Sequence, residues 1–163
     1  MPPEPAYCQT CGAPVVAEGD RYRCTRCARR HYVNSKPCAG ALVVRDGRVL
    51  LVKRAFEPFK GWWDVPGGFL NAGEHPEEGV RRELREETGL EVEPRRLVGI
   101  YMDTYGDDGD PTLNIYYECA VVGGEPRPAD DALEIGWFAP DALPEQVAFA
   151  NAHALLRDWR AGR

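Results

Sequence analysis

Two stretches decide how this chain folds: Gly68-Phe-Leu-Asn-Ala-Gly-Glu74 and, after seven further residues, Arg82-Glu-Leu-Arg-Glu-Glu-Thr-Gly-Leu90. Residues Pro76 to Thr88 predict a helix, because proline is tolerated in a first turn and apolar side chains recur at every fourth position. Gly89 is a natural stop for that helix, since glycine readily adopts the left-handed conformation found at helix ends. The sequence therefore predicts a glycine-containing loop that leads into an acidic helix.

The helix would crowd three carboxylates on one side, because Glu86 and Glu87 follow Glu83 by three and four residues. Like charges at this spacing destabilise a helix by about 0.2–0.5 kcal/mol per pair. Arginines interleave with them, so a solvated charged face is one interpretation. A cation site is the other, because the preceding glycine pair allows close backbone approach and clustered oxygens suit Mg²⁺ or Mn²⁺. Such a cation clamps phosphate oxygens and helps to ionise water.

The two stretches together resemble the complete signature of the Nudix hydrolases. The resemblance implies an α/β fold (α+β), a Nudix α/β/α sandwich with a mixed sheet. It also implies water attack on phosphorus, which hydrolyses a pyrophosphate bond in a nucleoside diphosphate linked to another moiety and releases a nucleoside monophosphate.

The resemblance also implies a role for each acidic position of the signature. Glu86 and Glu87 match metal ligands, and the carbonyl of Gly68 often joins them. Glu83 matches a further ligand or the base that activates water. Arg82 orients it, and Glu74 matches the residue that pairs with this arginine.

Many members of the family recruit one more acid from a loop before a late strand that contains tryptophan. Here Asp131 lies six residues before Trp137 and is the first candidate, with Glu134 second. A solvated acidic loop is an equally good interpretation of either residue.

The N-terminal module, residues 1–36, contains two Cys-x-x-Cys pairs, Cys8/Cys11 and Cys24/Cys27, with twelve residues between them. Two such pairs place four thiolates around one tetrahedral Zn²⁺, which predicts a structural zinc ribbon. A disulfide or redox pair is the alternative. Residues 37–163 are then the hydrolase domain. Cys38 and Cys119 lie in strand patterns and are interpreted as small buried hydrophobes.

Length, charge and composition narrow the classes of function. The chain has 163 residues, enough for one domain with a small appendage, and a net charge of −6. The N-terminal module has six basic and three acidic residues, a balance of +3, so the remainder carries −9. This acidity argues against nucleic acid as a partner. Without a run of 18 apolar residues or a signal peptide, we expect no membrane association and a cytoplasmic location. A homodimer is open, since the family commonly dimerises.

Nucleotide recognition needs cations for phosphates and aromatic faces for bases. Arg54 is the candidate phosphate contact, and Phe56 and Phe59 are candidates for base stacking, with loop packing as the alternative. A zinc ribbon before a Nudix domain resembles pyrophosphatases of NADH, ADP-ribose and FAD. Residues 101–106 lack the run typical of the NADH enzymes, so ADP-ribose or a similar nucleotide sugar or dinucleotide is the first expectation. A (d)NTP pyrophosphohydrolase and a non-catalytic nucleotide sensor are the alternatives.

The remaining pattern predicts a sheet packed by helices. Strands are expected at 41–44 and 49–52, joined by a tight turn at Asp46-Gly47, and at 92–94, 97–105, 113–122 and 134–138. Residues 55–73 are expected to form a loop with short extended pieces, and 106–111 a hairpin loop. A second helix is expected from Pro144 to about Trp159.

Overall fold

A computed structural model describes residues 6–106 and 109–162; residues 107–108 of the expected hairpin loop lie outside it. The strands are β1 (Val15–Glu18), β2 (Arg21–Cys24), β3 (Arg30–His31), β4 (Lys36–Arg45), β5 (Arg48–Arg54), β6 (Trp63–Asp64), β7 (Gly67–Phe69), β8 (Leu90–Tyr105), β9 (Asp110–Gly124) and β10 (Ala132–Phe138). The helices are α1 (Pro76–Thr88) and α2 (Ala150–Arg160).

The large sheet is mixed, as predicted. Its strand order is β10-β5-β4-β9-β8, with β6 beside β5 and β7 beside β4. Strand β4 runs parallel to β9, whereas the other pairs are antiparallel. The turn between β4 and β5 has positive φ at both Asp46 and Gly47, which matches the right-handed twist of the hairpin.

One helix covers each face of this sheet. Val80 and Leu84 of α1 are fully buried against Ala41 and Val43 of β4, among others. Leu155 and Leu156 of α2 pack on the opposite face, where alternate residues of β4 and β5 point. The result is the predicted α/β/α sandwich, with a separate hydrophobic cluster under each helix.

Helix α1 begins and ends where its sequence predicts. The side chain of His75 accepts a hydrogen bond from the N–H of Glu77 (3.3 Å) at the first turn. Gly89 ends the helix with φ of 69°, a left-handed conformation that costs glycine little, and donates its N–H to the carbonyl of Arg85. The first bond fixes the start of the helix relative to the loop before it, and the second bond closes its last turn.

Helix α2 corrects one prediction, because it begins at Ala150 and not at Pro144. The residues before it are extended and pair with β6: the N–H of Trp63 donates to Gln146, and Ala148 donates to the Trp63 carbonyl. This pairing takes the backbone groups that a longer helix would use. The expected strands at 92–94 and 97–105 also merge into β8, an edge strand that tolerates Pro94 and several bulges.

The N-terminal module has its own small sheet, β1-β2-β3. Its buried side chains are few, namely Cys8, Ala13 and Cys24, with Cys11 and Val15 packed beside them. No helix in residues 6–106 and 109–162 is long and apolar enough to cross a membrane.

Candidate active site and zinc site

Arg82 is the centre of a hydrogen-bonded group at the start of the site. Its guanidinium donates two bonds of 2.8 Å to Glu74, one from Nε and one from Nη2. Its Nη1 donates to Glu83 (2.7 Å) and to Glu86 (3.0 Å), and Nη2 also reaches the carbonyl of Phe69 (3.1 Å). The fork of five donors explains why an arginine serves here. The bonds from Arg82, and after them the bond from the Asn71 N–H (2.8 Å), lower the pKa of Glu74 to about 2. The bonds from Arg82 also connect the loop to the helix.

Glu87 is a buried carboxylate at the start of the cleft, held by a backbone amide. It accepts the N–H of Gly67 (2.9 Å) and is 6% exposed. Burial raises its pKa well above the usual range, and the charges of Asp131, Glu83 and Asp64 add to the shift. Burial also raises the pKa of Glu83, against the opposing effect of Arg82. Carboxylates that repel one another in this way form an oxygen site suited to a hard cation.

The glycine pair allows this crowding. A Cβ at Gly68 would lie 2.6 Å from Oε1 of Glu83, so a side chain would displace the carboxylate. A Cβ at Gly67 would lie 2.5 Å from the carbonyl of Ala39, and its φ of 152° disfavours other residues. The backbone of residues 67–68 therefore touches the carboxylates of α1 directly.

The two late acids lie in different surroundings. Asp131 is close enough for its charge to raise the pKa of both Glu83 and Glu87, and its carbonyl accepts the N–H of Ala55 (2.7 Å). Glu134 lies on β10 and forms an exposed salt bridge with Lys53 (3.1 Å). Asp131 is thus beside the signature carboxylates, and Glu134 is engaged elsewhere.

A cleft with a volume of about 70 Å³ extends from Gly68 across the face of the sheet that carries α2. Its floor is polar, with buried Thr112, Asn114 and Asn151. Aromatic side chains also line it, namely Phe69, Tyr105 and Phe149. Tyr105 and Phe149 stack with ring centroids 5.7 Å apart. This lining suits a ligand that combines hydrogen-bonding groups with a ring.

The three predicted substrate contacts divide between the cleft and its surroundings. Arg54 lines the cleft; its Nε donates to the carbonyl of Pro58 (2.8 Å), its Nη1 to Asp64 (3.3 Å), and its guanidinium lies 4.8 Å from the Phe149 ring centroid. Phe59 packs edge-on against Phe149 (5.2 Å) outside the cleft lining. Phe56 is 63% exposed and does not line the cleft.

Several cleft residues are not among the candidates predicted from the sequence. Asp64 lies shortly before the glycine pair, but a single acid at that position indicates no role. Thr112 and Asn114 alternate on β9 with Tyr116, and polar residues at such buried positions were a usable signal. The sequence does not indicate Phe149 and Asn151 as cleft residues, because it predicts a second helix that begins earlier, at Pro144.

The four cysteines of the N-terminal module converge. Their Sγ atoms all lie within 4.8 Å of one another, with 3.7 Å between Cys8 and Cys27 and 3.5 Å between Cys11 and Cys24. A tetrahedron with Zn–S of about 2.3 Å has edges of about 3.8 Å, so the residues fit zinc. The N–H groups of Cys27 and Arg26 point at the Cys24 sulfur and lower its pKa to about 6, which favours the ligating thiolate.

The cysteines are the one group of three or more metal-ligating side chains in residues 6–106 and 109–162 whose ligand atoms lie within 4.8 Å of one another. The carboxylates of α1 do not form such a group: Glu83 and Glu86 both accept from Arg82, whereas Glu87 accepts from the Gly67 N–H. Their oxygen donors nevertheless suit Mg²⁺ or Mn²⁺ in type. The two sites are therefore a closed sulfur site and an open oxygen site.

Comparisons with known proteins agree with this geometry. Residues 34–159 match the family model of the NUDIX domain. The chain is 37% identical to the ADP-ribose pyrophosphatase of Methanocaldococcus jannaschii, over 82% of this chain and 79% of that protein. It is 32% identical to the NAD-capped RNA hydrolase NudC of Chromobacterium violaceum, over 93% of this chain and 57% of that protein. A solved NUDIX hydrolase from Nitrosomonas europaea matches with a TM-score of 0.82 and 30% identity, over 96% of this chain and 91% of that one.

The chain therefore belongs to the NUDIX family, and the prediction of an enzyme of this hydrolase class is confirmed. The predicted fold class is confirmed as well. Because the Nitrosomonas europaea structure covers 96% of the chain, the likeness includes most of the N-terminal module.

Proposed function

We propose that the protein uses Mg²⁺ or Mn²⁺ to hydrolyse the pyrophosphate bond of a nucleoside diphosphate linked to a second moiety, with ADP-ribose as the first candidate substrate. The observation that carries this proposal is the buried, mutually repelling pair Glu83 and Glu87 against the Gly67-Gly68 backbone, beside a cleft lined by polar and aromatic side chains. The names of the two relatives reported above support a substrate of the ADP-ribose or NAD type.

Glu86, Glu87 and the carbonyl of Gly68 would hold the cation, which supplies positive charge to phosphate oxygens and helps to ionise water. Glu83 accepts a proton from the attacking water, because burial gives it a raised pKa suited to a general base. The water oxygen bonds to one phosphorus, and the bridging P–O bond breaks. The proton ends on the released phosphate, so a nucleoside monophosphate and a phosphorylated second product form.

Arg82 and Glu74 position Glu83, and Asp131 adds negative charge on the open side of the site. The N-terminal module, residues 1–36, is proposed to fold around a structural Zn²⁺ held by four cysteines, separately from the hydrolase domain, residues 37–163. A site closed by four protein ligands leaves no position for substrate, so this metal has a structural role.

Product analysis by chromatography tests the proposal. Purified protein is incubated with Mg²⁺ or Mn²⁺ and with ADP-ribose, NADH, FAD, a nucleotide sugar or (d)NTPs. AMP plus ribose 5-phosphate from ADP-ribose is the expected result. Release of pyrophosphate from a nucleoside triphosphate alone would replace the proposal with (d)NTP hydrolysis. Binding without turnover of any compound would favour a nucleotide sensor.

A further inference from the structure

Asp64 is a buried carboxylate in the cleft that the hydrolytic chemistry does not use. It is 8% exposed, its Oδ1 accepts the N–H of Val65 (2.8 Å), and its Oδ2 accepts from Arg54 (3.3 Å). Replacing such a buried ion pair by apolar residues is often neutral or stabilising. Stability alone therefore does not account for this side chain at the cleft wall.

The hydrogen-bonding capacity of Asp64 is only partly filled. Above its pKa, which burial raises to about 7, the carboxylate is ionised and has about four acceptor positions, of which the Val65 N–H and Arg54 occupy two. Arg54 is fixed by the carbonyl of Pro58 and by the ring of Phe149, so it is held at its present 3.3 Å contact. Because Asp64 lines the cleft, a bound ligand can donate a hydrogen bond to one of its remaining acceptor positions.

Asn114 presents the same kind of group on the cleft floor. Its Nδ2 donates to Oγ1 of Thr112 (3.0 Å) and to the carbonyl of Tyr101 (3.2 Å). These two bonds use both amide hydrogens and fix the orientation of the amide. Asn114 therefore offers a ligand only its carbonyl oxygen, another acceptor.

The location relates these acceptors to one part of the substrate. Gly68, which lies against Glu83, lines the same cleft as Asp64 and Asn114. A substrate whose pyrophosphate lies at Gly68 would therefore place its nucleoside in the part of the cleft that Asp64 and Asn114 line. Buried acceptors of this kind reject ligands that lack a matching donor, because the acceptors would lose water without a replacement bond.

We propose that Asp64 determines substrate specificity by accepting a hydrogen bond from an N–H or O–H donor of the nucleoside, with the carbonyl oxygen of Asn114 as a second acceptor. The donor is either the exocyclic amino group of the base or a ribose hydroxyl. This inference rests on the proposed function and names the part of the substrate that is recognised.

The test compares ADP-ribose with three analogues that each lack one donor. In one analogue the base is unsubstituted purine, which lacks the amino group, and the other two contain 2′-deoxyadenosine or 3′-deoxyadenosine, each of which lacks one hydroxyl; all are assayed at about pH 8.5, where Asp64 is ionised. In the wild type, kcat/KM for one analogue falls about 10- to 100-fold below that for ADP-ribose. In Asp64→Asn this preference falls at least tenfold, because Oδ1 of the amide takes the Val65 N–H and its NH₂ group faces the ligand.

Two further variants keep the result interpretable. Asp64→Leu, of similar size, removes every acceptor and adds no donor, so it should abolish the preference even if the new amide of Asp64→Asn disturbs the site. Glu118→Gln is the matched control, since Glu118 pairs with an arginine (Arg96, 2.7 Å) on the same sheet outside the cleft; it keeps the wild-type preference. Thermal unfolding checks that each variant is folded.

Loss of activity by the same factor for all four substrates in the Asp64 variants, or an unchanged preference, overturns the inference. Dissociation constants for AMP, purine riboside 5′-monophosphate, 2′-deoxy-AMP and 3′-deoxy-AMP, measured by calorimetry with the same variants, test it without turnover. If the wild type hydrolyses none of the diphosphates, the proposed function fails. The calorimetric preference and its dependence on Asp64 still decide the specificity role.

Discussion

The N-terminal module and the sandwich each gather metal-ligating groups, but the surrounding structure differs. In the module, four sulfurs lie within 4.8 Å of one another and few other side chains are buried. In the sandwich, the carboxylates of α1 are bonded to Arg82 and to the Gly67 backbone, on a helix whose other face packs in a hydrophobic cluster. We infer that metal binding and folding are coupled in the module and independent in the sandwich.

The largest expected effect is the loss of the module on Cys24→Ser. Removing one of four thiolates abolishes tetrahedral sulfur coordination, and structural zinc in small modules contributes about 10 kcal/mol or more to folding. We expect zinc content to fall from one per chain to near zero and amides of residues 6–31 to lose hydrogen-exchange protection. Amides of α1 and β9 keep theirs.

Cys119→Ala is the control, because Cys119 is a buried cysteine of the sandwich and not a member of the sulfur cluster. It should retain zinc. Loss of protection throughout the sandwich on Cys24→Ser would contradict the independence of the two regions.

The next effect is on catalysis by Glu87→Gln. The amide keeps the shape of Glu87 and removes its charge, so a cation is held less tightly while the fold is retained. Changes in residues that only support metal ligands cost about 10- to 100-fold, and loss of a ligand charge should cost at least about a hundredfold in kcat. Steady-state kinetics across a range of Mn²⁺ concentrations measure this, and near wild-type kcat would contradict the oxygen-site assignment.

Arg82→Lys should have a smaller effect, about tenfold or more in kcat. A lysine ammonium is a point charge and does not reproduce the paired bonds to Glu74 together with the bonds to Glu83 and Glu86. Because Arg82 acts through Glu83, we expect the pH dependence of kcat to shift in addition to the fall in its maximum value. Arg96→Lys, at an exposed pair with Glu118, is the control and should leave both unchanged.

The same comparison explains what the sequence could predict. The loop and helix of the signature span 23 residues, and the four cysteines span 20. In each case the side chains are close in sequence, so their spacing along one helix, or in two Cys-x-x-Cys turns, already determines which of them meet. Helix α1 accordingly has the predicted bounds. Glu83 and Glu87 lie against the glycine pair, whereas Glu86 contacts Arg82.

The cleft depends on contacts between distant segments. Asp64, Asn114 and Phe149 come together only through the pairing of β6 with β5, of β9 with β4, and of residues 146–148 with Trp63. Local propensity does not reveal such pairing, and the predicted start of α2 is wrong because residues 146–148 pair with Trp63 instead of forming a first turn. Phe56, chosen for its type and position in the chain, is exposed outside the cleft for the same reason.

The smallest expected effect concerns stability and pH in the absence of divalent cations. Burial raises the pKa of Asp64 from 3.8 to about 7, against the opposing charge of Arg54. The folded state therefore binds this proton more tightly than the unfolded state, and Asp64 lowers stability progressively as pH rises from about 4 to about 7. Glu74, whose pKa is lowered to about 2, acts in the opposite sense: its contribution is present above about pH 4.5 and is lost as pH falls toward 2. Asp64→Asn removes only the first effect, so its Tm relative to the wild type should rise by several degrees between pH 4 and pH 8. A difference in Tm that does not change over this range would contradict the raised pKa.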